Sequence, residues 1–219
     1  FAPERTGILP IFLDVANFAS VRADKALLKR LRGKGVVNFL SVGRIVPNKA
    51  VEDTIRVFYL YHRYINPDSR LFLVGARYLP TYDAQLDALV RFLGLSEVVT
   101  FTEKVSLPEL KTYYEGADLY LTASYHEGFC VPLIESMYFG LPILARSAGA
   151  IPETLRDAGI LFTRLGYAEV AETAHRLVTD AELRAQVLRT QRERLQDFAP
   201  EKVEQQLREA LRQVGVSLS

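Results

Sequence analysis

The 219-residue sequence contains no tryptophan and only one cysteine, Cys130. A single cysteine can form neither an intrachain disulfide nor a thiolate metal site, which fits a reducing compartment. No run approaches the roughly 20 apolar residues that a membrane-spanning helix needs, and no signal peptide is visible. The chain opens without methionine, at Phe1-Ala-Pro-Glu4. We therefore expect a piece of a longer protein, whose targeting signals could lie outside it.

The sequence also lacks an excess of charge of either sign. Its 27 lysines and arginines are balanced by 26 acidic residues, for a net charge of +1. This balance argues against a nucleic-acid partner held by bulk electrostatics. Two nucleotide-binding motifs are missing as well: there is no Walker A motif, and no G-x-G-x-x-G follows a predicted strand. Their absence weakens assignment to P-loop phosphotransferases or dinucleotide oxidoreductases.

The sequence does contain a regular alternation of β-rich runs and helical patterns, with 49% hydrophobic residues to build a core. Strands are predicted over residues 36–42, 70–75, 98–101, 119–123, 142–145 and 159–162, and a further entering strand over 8–15. Helical patterns or helix-start signals lie between them, including the capping box Ser106-Leu-Pro-Glu109. This order predicts βαβ units in an α/β, doubly wound parallel sheet. After residue 165 the pattern is helical only.

One stretch carries most of the candidate chemistry. The predicted strand at 119–123 leads into a loop with Glu127, and Pro132 marks the start of a helix that carries Glu135. Such a loop presents free backbone N–H groups and the positive end of a helix dipole at the edge of a sheet. It is suited to hold an anion. From spacing alone, the two glutamates fit an acid/base pair and helix-start stabilisation equally well.

Other candidates near strand ends are less specific. Arg44 and Lys49 follow the first predicted strand and could reach a phosphate, although such a pair alone is usually solvated. His126 is interpreted as an exposed loop histidine. Cys130 stands where a helix N-terminus would lower its pKa, but no histidine accompanies it, so we interpret it as a small filler. Three further features are interpreted as structural: His62 as packing, His175 as solvated, and the cluster Arg184, Arg189, Arg192 and Arg194 as a solvated helix face rather than a membrane-facing patch.

The segment Glu127-Gly-Phe-Cys-Val-Pro-Leu-Ile-Glu135 resembles the E-x(7)-E signature of retaining glycosyltransferases of the GT-B fold, group-one type. Val42-Gly-Arg44 followed by Lys49 is similar to the phosphate clamp of that family. Further matches fall in the family's order, namely Leu73-Val-Gly75, Ala117-Asp118, Ser124, Gly140-Leu-Pro142 and Gly149-Ala-Ile-Pro-Glu153. The resemblance covers roughly residues 8–215. It implies a Rossmann-like fold that is one half of GT-B, the C-terminal half that binds the donor.

The resemblance also implies a role for each matching residue. Arg44 and Lys49 would bind the donor diphosphate and, with Glu127, are assigned to catalysis. Glu127 would accept hydrogen bonds from the sugar hydroxyls, and Glu135 from the ribose. The full set of implied donor-binding residues is Gly43, Arg44, Lys49, Lys104, Val105, Glu127, Gly128, Phe129, Cys130, Val131 and Glu135. No metal and no cofactor are expected.

The whole chain, residues 1–219, is then expected to be one nucleotide-sugar-binding domain. Residues 1–20 would enter from a missing N-terminal acceptor domain, and residues 166–219 would form a helical tail. The last helix, with an apolar stripe at Val203, Leu207, Ala210, Leu211 and Val214, is expected to be partly uncovered without that domain. Because transfer occurs between the two domains, this chain alone is expected to be inactive or nearly so.

The implied activity is transfer of a sugar from a UDP- or GDP-sugar to an unknown acceptor, in the cytoplasm. Attachment to the inner membrane face through the missing domain stays open. Alternatives are a non-catalytic nucleotide-sugar-binding module, a nucleotide-sugar epimerase or a phosphorylase. The non-catalytic module is disfavoured because the chain has Arg44, Lys49 and both glutamates together, and a module without turnover has no need of the phosphate clamp. The sequence departs from the family at Glu103, in the loop expected to hold the base, and at Ala76-Arg77, soon after Gly75; the family often has glycine at both places.

Overall fold

The computed structural model describes residues 9–11, 16–33, 35–164 and 166–213, and its centre is a six-stranded sheet. All strand pairs are parallel, in the order β3-β2-β1-β4-β5-β6. The strands are β1 Val37–Val42, β2 Ser69–Val74, β3 Val99–Phe101, β4 Leu119–Thr122, β5 Ile143–Arg146 and β6 Ile160–Phe162. The predicted doubly wound parallel sheet is thereby confirmed. Most of the strand predicted over 8–15 lies outside the described residues.

Helices cover both faces of the sheet. They are α1 Ala16–Ser20, α2 Lys25–Leu31, α3 Val51–Tyr64, α4 Pro80–Phe92, α5 Leu107–Gly116, α6 Val131–Tyr138, α7 Ile151–Leu155, α8 Tyr167–Thr179, α9 Ala181–Leu195 and α10 Pro200–Gln213. One hydrophobic core includes side chains of α3, α4 and α8, and the other includes side chains of α2, α5, α6 and α7. Successive strand residues serve opposite cores, as Phe39 and Leu40 do, because side chains alternate along a strand.

Local signals in the sequence explain where several helices begin. The Asp24 side chain accepts hydrogen bonds from the backbone N–H groups of Ala26 and Leu27 and so caps α2. The predicted capping box at the start of α5 is confirmed, with Ser106 and Glu109 bonding reciprocally. Helix α6 has Pro132 in its first turn, where an N–H has no intrahelical partner to lose.

The order of the strands places a crevice at the centre of one sheet edge. β1 and β4 are neighbours, but the chain continues from β1 to β2 on one side and from β4 to β5 on the other. Beyond these two strands the chain therefore runs to opposite sides of the sheet, which leaves a crevice at the carboxyl ends of β1 and β4. In open α/β sheets such a topological switch point is where ligands bind.

The helical tail agrees with the prediction over residues 166–213, with one correction. The arginine cluster was expected to be solvated, and Arg189 and Arg192 are exposed. The expectation is wrong for two members: Arg184 donates to the Asp118 carbonyl, and the largely buried Arg194 donates to the carbonyls of Glu153 and Thr154. Both side chains dock the tail onto the sheet domain because their guanidinium groups reach backbone oxygens.

The last helix is only partly covered. Val203 of α10 is buried, whereas Leu207, one turn further, is 40% exposed. Ala210 is exposed as well, and Val214 lies outside the described residues. Across the described ranges, no helix is both long and apolar enough to cross a bilayer.

Candidate functional site

Two loops that are distant in sequence meet at the switch point. The loop after β1 ends in a 3-10 turn over Pro47–Lys49, and the loop after β4 runs from Ala123 to Cys130. The backbone N–H of Tyr125 donates to the carbonyl of Asn48 over 2.8 Å, and the Asn48 amide lies 3.4 Å from the carbonyl of His126. These bonds hold the two loops side by side across the crevice.

An ion pair links the same two loops. The Nζ atom of Lys49 lies 2.6 Å from Oε1 of Glu127, and the Ser124 hydroxyl donates to the same oxygen over 2.8 Å. Glu127 is only 8% exposed, so its carboxylate needs such partners to be stable. Both residues were predicted to belong to the site, but their direct pairing was not. No sequence motif encodes a contact between residues 78 positions apart.

Arg44 is the other predicted phosphate ligand. Its side chain is exposed, and within the described ranges it makes no ion pair or hydrogen bond. Arg44 is therefore a cation at the mouth of the crevice that is available to an anion, whereas Lys49 is already engaged by Glu127.

Glycines allow the strand ends to come close together. Gly43 and Gly75 have φ angles of +149° and +153°, a region that favours glycine. A Cβ on Gly75 would lie 1.9 Å from the carbonyl oxygen of Gly43, which no side chain can tolerate. A Cβ on Gly43 would lie 3.4 Å from Cε of Lys49. The Lys49 side chain thus passes over Gly43 on its way to Glu127.

A second turn supports Glu127 from the side of β5. The backbone N–H of Ala150 donates to the carbonyl of Glu127 over 2.9 Å. Gly149 has a φ of +54°, and a Cβ there would lie 2.5 Å from that carbonyl oxygen. The Thr154 hydroxyl donates to the carbonyl of Phe129 over 2.9 Å. The turn before α7 therefore holds Glu127, and α7 itself holds Phe129, in each case through the backbone carbonyl; glycine at 149 is required for the close approach to Glu127.

Glu135 lies in the second turn of α6 and is partly buried beneath the crevice. Its Oε2 atom accepts a hydrogen bond from the hydroxyl of Tyr114 over 2.6 Å. Burial raises the pKa of the Glu135 carboxyl, although the bond from Tyr114 partly opposes this, and burial raises the pKa of Tyr114 well above its ordinary value. The sequence did not predict that Tyr114 belongs to the site, because only its position in a helix can be read from the sequence.

Cys130 precedes α6 with a left-handed backbone, at a φ of +65°. The lowered pKa expected at a helix N-terminus is wrong: burial, together with the charge of Glu127, raises the pKa of the thiol to about 12. Desolvation of the thiolate outweighs the helix dipole here. The side chain is buried, as expected of a filler, so any contact with a ligand would have to use the backbone of Cys130.

The two departures from the family lie in neighbouring loops: Glu103 in the loop after β3, predicted to hold the base, and Ala76-Arg77 in the loop after β2. Glu103 adopts a φ of +59°, a conformation that costs a non-glycine residue roughly 1–2 kcal/mol. The Arg77 guanidinium lies 3.0 Å from Asp87 and 4.6 Å from the centre of the Phe101 ring. Arg77 therefore links α4, which carries Asp87, to the end of β3, which carries Phe101. Lys104 is exposed and Val105 is partly buried beside them.

A buried carboxylate next to the crevice was also missed. Asp53, in the first turn of α3, is 3% exposed. It accepts hydrogen bonds from Tyr167 at 2.8 Å, Tyr125 at 3.0 Å, and Arg56 and Arg146 at 3.3 Å. Asp53 thus joins α3 to the loop after β4, the end of β5 and the start of α8. An acidic residue in the first turn of a helix was its only signal in the sequence.

The three histidines lie in different environments. His126 is exposed, as predicted. His62 packs against Phe58 and its Nδ1 lies 3.0 Å from the Ser69 hydroxyl, as expected of a packing residue. The prediction for His175 is wrong, because its ring is partly buried beside Tyr61, 6.1 Å between centroids. In the described part of the chain, no three His, Cys, Asp or Glu side chains cluster closely enough to hold a metal ion.

The chain matches the model of the family described as "Glycosyl transferases group 1" over residues 29–194. It belongs to that family, as the resemblance predicted. The D-inositol 3-phosphate glycosyltransferases of Mycobacterium bovis and Mycobacterium tuberculosis are each 34% identical to it over 167 residues. This stretch covers 74% of the present chain but 32% of theirs. The chain thus spans only a minor part of the length of these curated relatives.

Solved structures share the fold at lower sequence identity. Sucrose-phosphate synthase from Thermosynechococcus elongatus has a TM-score of 0.79 and 24% identity, covering 95% of this chain and 52% of its own. HepE of Anabaena, crystallised in complex with UDP and glucose, has a TM-score of 0.76 and 21% identity, covering 92% of this chain and 55% of its own. At these identities the likeness is one of fold.

Proposed function

We propose that this chain is the donor-binding domain of a retaining, metal-independent glycosyltransferase, which transfers a sugar from a nucleoside diphosphate sugar to an acceptor. The observation that carries the proposal is the meeting of Lys49, Ser124 and Glu127 at the switch point, with Arg44 at its mouth. Membership of the family supports it. So does HepE, which shares the fold and was crystallised with UDP-glucose.

The cations of the crevice suit the leaving group of this reaction. Transfer breaks the bond between the anomeric carbon and an oxygen of the β-phosphate, and the bonding electrons stay on that oxygen. Positive groups fixed beside it stabilise the charge as it grows. Arg44 and Lys49 would supply that charge in place of a metal ion. The backbone N–H groups of Gly128 and Phe129, in the loop before α6, and of Val131, its first residue, would add to it.

The two glutamates suit the hydroxyl-bearing parts of the donor. A carboxylate can accept hydrogen bonds from two vicinal hydroxyls. Glu127 would take those of the transferred sugar, and Glu135 those of the ribose, with Tyr114 holding its other oxygen. The backbone around Lys104 and Val105 would contact the base. With these two roles, neither glutamate acts as a general base in the proposed reaction.

The acceptor site is expected on an N-terminal domain of the same polypeptide, from which residues 1–20 would enter. The short coverage of the relatives fits this arrangement. The chain alone is therefore expected to bind donor and to transfer little or nothing. We place the enzyme in the cytoplasm, with any attachment to the membrane surface made by the other domain.

Thermal unfolding with a panel of UDP, GDP, UDP-glucose and GDP-mannose tests the proposal. A ligand at 100 times its Kd should stabilise the chain by about 2.7 kcal/mol. Arg44→Ala and Glu135→Ala should reduce that stabilisation, whereas Arg189→Ala, which removes an exposed arginine of α9, should not. If no member of the panel stabilises the chain, or if both site variants bind as well as the parent, the proposal is wrong. Binding without transfer by the full-length enzyme would favour a non-catalytic module.

A further inference from the structure

In the proposed function, the Glu127 carboxylate and the phosphate of the donor compete for the same Lys49 ammonium. The donor-binding role alone does not explain why the two residues are paired. The Lys49 ammonium, proposed to bind a phosphate, lies 2.6 Å from a carboxylate of the same site. The Glu127 side chain is 9% exposed and that of Lys49 is 20% exposed. A partly desolvated pair of this kind is costly to break by removing one partner, because the other charge is left without compensation.

The groups around Glu127 define what must replace Lys49. Oε1 of Glu127 receives only the Lys49 ammonium and the Ser124 hydroxyl, and Oε2 receives no hydrogen bond from any residue that the structure describes. If Lys49 turns to a phosphate instead, the Ser124 hydroxyl is the one hydrogen-bond donor among the described residues that still contacts the Glu127 carboxylate. A ligand therefore binds well only if it brings its own hydrogen-bond donors to Glu127.

A nucleotide sugar and the nucleoside diphosphate left after transfer differ in this respect. The sugar of the donor carries hydroxyls that can donate to Glu127. The diphosphate product has no such hydroxyls, and its terminal phosphate carries additional negative charge that the nearby carboxylate repels. The carboxylate thus discriminates between two ligands that share the same base, ribose and phosphates.

We propose that Glu127 is a specificity-determining residue that, through its ion pair with Lys49, favours the nucleotide sugar over the nucleoside diphosphate. As the product leaves, Lys49 returns to Glu127, so the pair promotes release. This inference rests on the proposed donor-binding function. It adds a role that the assignment of Glu127 to the sugar hydroxyls does not contain.

Isothermal titration of the 219-residue chain with UDP and with UDP-glucose tests the inference, with GDP and GDP-mannose as the second pair. Glu127→Gln keeps the size of the side chain and its ability to accept from Ser124, but removes the charge. We expect the ratio of the Kd for UDP to that for UDP-glucose to fall about tenfold, mainly because UDP binds more tightly. An unchanged ratio, or weaker binding of UDP, overturns the inference.

Two further variants separate competition from a structural effect. In a Lys49→Gln background, Glu127→Gln should strengthen UDP binding much less than it does when Lys49 is present. The ammonium for which the two anions compete is gone, and only the direct repulsion between the carboxylate and the phosphate is left to remove. Glu135→Gln changes a carboxylate that contacts Tyr114 rather than Lys49, so it should weaken both ligands and leave their ratio unchanged. Thermal unfolding confirms that each variant is folded. If the parent chain binds neither pair, the proposed function itself fails; if it binds and the ratio does not move, only this inference fails.

Discussion

The hydroxyl of Tyr114, on α5, donates a hydrogen bond of 2.6 Å to Oε2 of Glu135, on α6. Tyr114 is fully buried and its ring stacks on Phe139. The phenol therefore fixes a carboxylate of the proposed donor site from the core side. It leaves the other oxygen of Glu135 for a ligand.

We expect Tyr114→Phe to lower the free energy of unfolding by about 1–2 kcal/mol, because the partly buried Glu135 carboxylate loses a hydrogen-bond partner. UDP should also bind several-fold more weakly, since Glu135 is no longer held. Urea unfolding and titration with UDP measure the two effects. Tyr113→Phe is the matched control: it neighbours Tyr114 on α5, and its hydroxyl has no hydrogen-bond partner in the described part of the chain. Equal effects of the two substitutions would contradict the role of Tyr114.

Asp53→Asn should be among the most destabilising conservative changes in this chain. The substitution removes the charge that pairs with Arg146, whose side chain is 12% exposed, and one amide cannot accept from two phenols and two guanidinium groups. A loss of about 3 kcal/mol is expected from leaving a largely buried cation unpaired. Chemical denaturation measures it. The control is Asp68→Asn, at an exposed position, whose free energy of unfolding should stay within about 0.5 kcal/mol of the parent value. A similarly small effect of Asp53→Asn would show that the side chains around Asp53 contribute little to stability.

Gly75→Ala should disrupt the edge of the sheet at the crevice. Its Cβ would overlap the backbone of Gly43, and backbone cannot move aside as a flexible side chain can. We expect a loss of at least about 3 kcal/mol, or failure to fold, from overpacking added to an unfavourable φ. Gly128→Ala is the control for stability, because a Cβ placed there has no described atom within 4 Å beyond residue 128 and its two chain neighbours. A folded Gly75→Ala protein with parental stability would contradict the close approach of the two strand ends.

Cys130 should resist alkylation in the folded protein. Its pKa is raised to about 12, so at pH 8 almost all of it is the unreactive thiol, and the side chain is buried. In urea the pKa should return to about 8.5, and the thiolate then forms readily. Mass spectrometry after iodoacetamide treatment should find modification only in the denatured sample. Rapid labelling of the native chain at pH 8 would mean that the thiol is accessible and ionised.

Local patterns allowed the strands and helices to be predicted with good accuracy because their causes are local. The capping box at Ser106 and the glycines that end strands act over a few residues. The long-range pairs were missed for the same reason. Nothing near Asp53 in the sequence indicates that Tyr167 will reach it, and nothing near Tyr114 indicates Glu135. His175 was misjudged because its burial depends on α3, more than a hundred residues earlier.

The sequence by itself determined the parallel α/β fold and the family, and it predicted a set of site residues, because periodicity, turn residues and motif order can be read along the chain alone. Only the tertiary structure decided how those residues act on one another. Strand order brings the loops after β1 and β4 together at the switch point. There Lys49 contacts Glu127, Arg44 has no ion-pair partner among the described residues, and burial keeps the Cys130 thiol protonated. Charge interactions and solvation depend on distances in space.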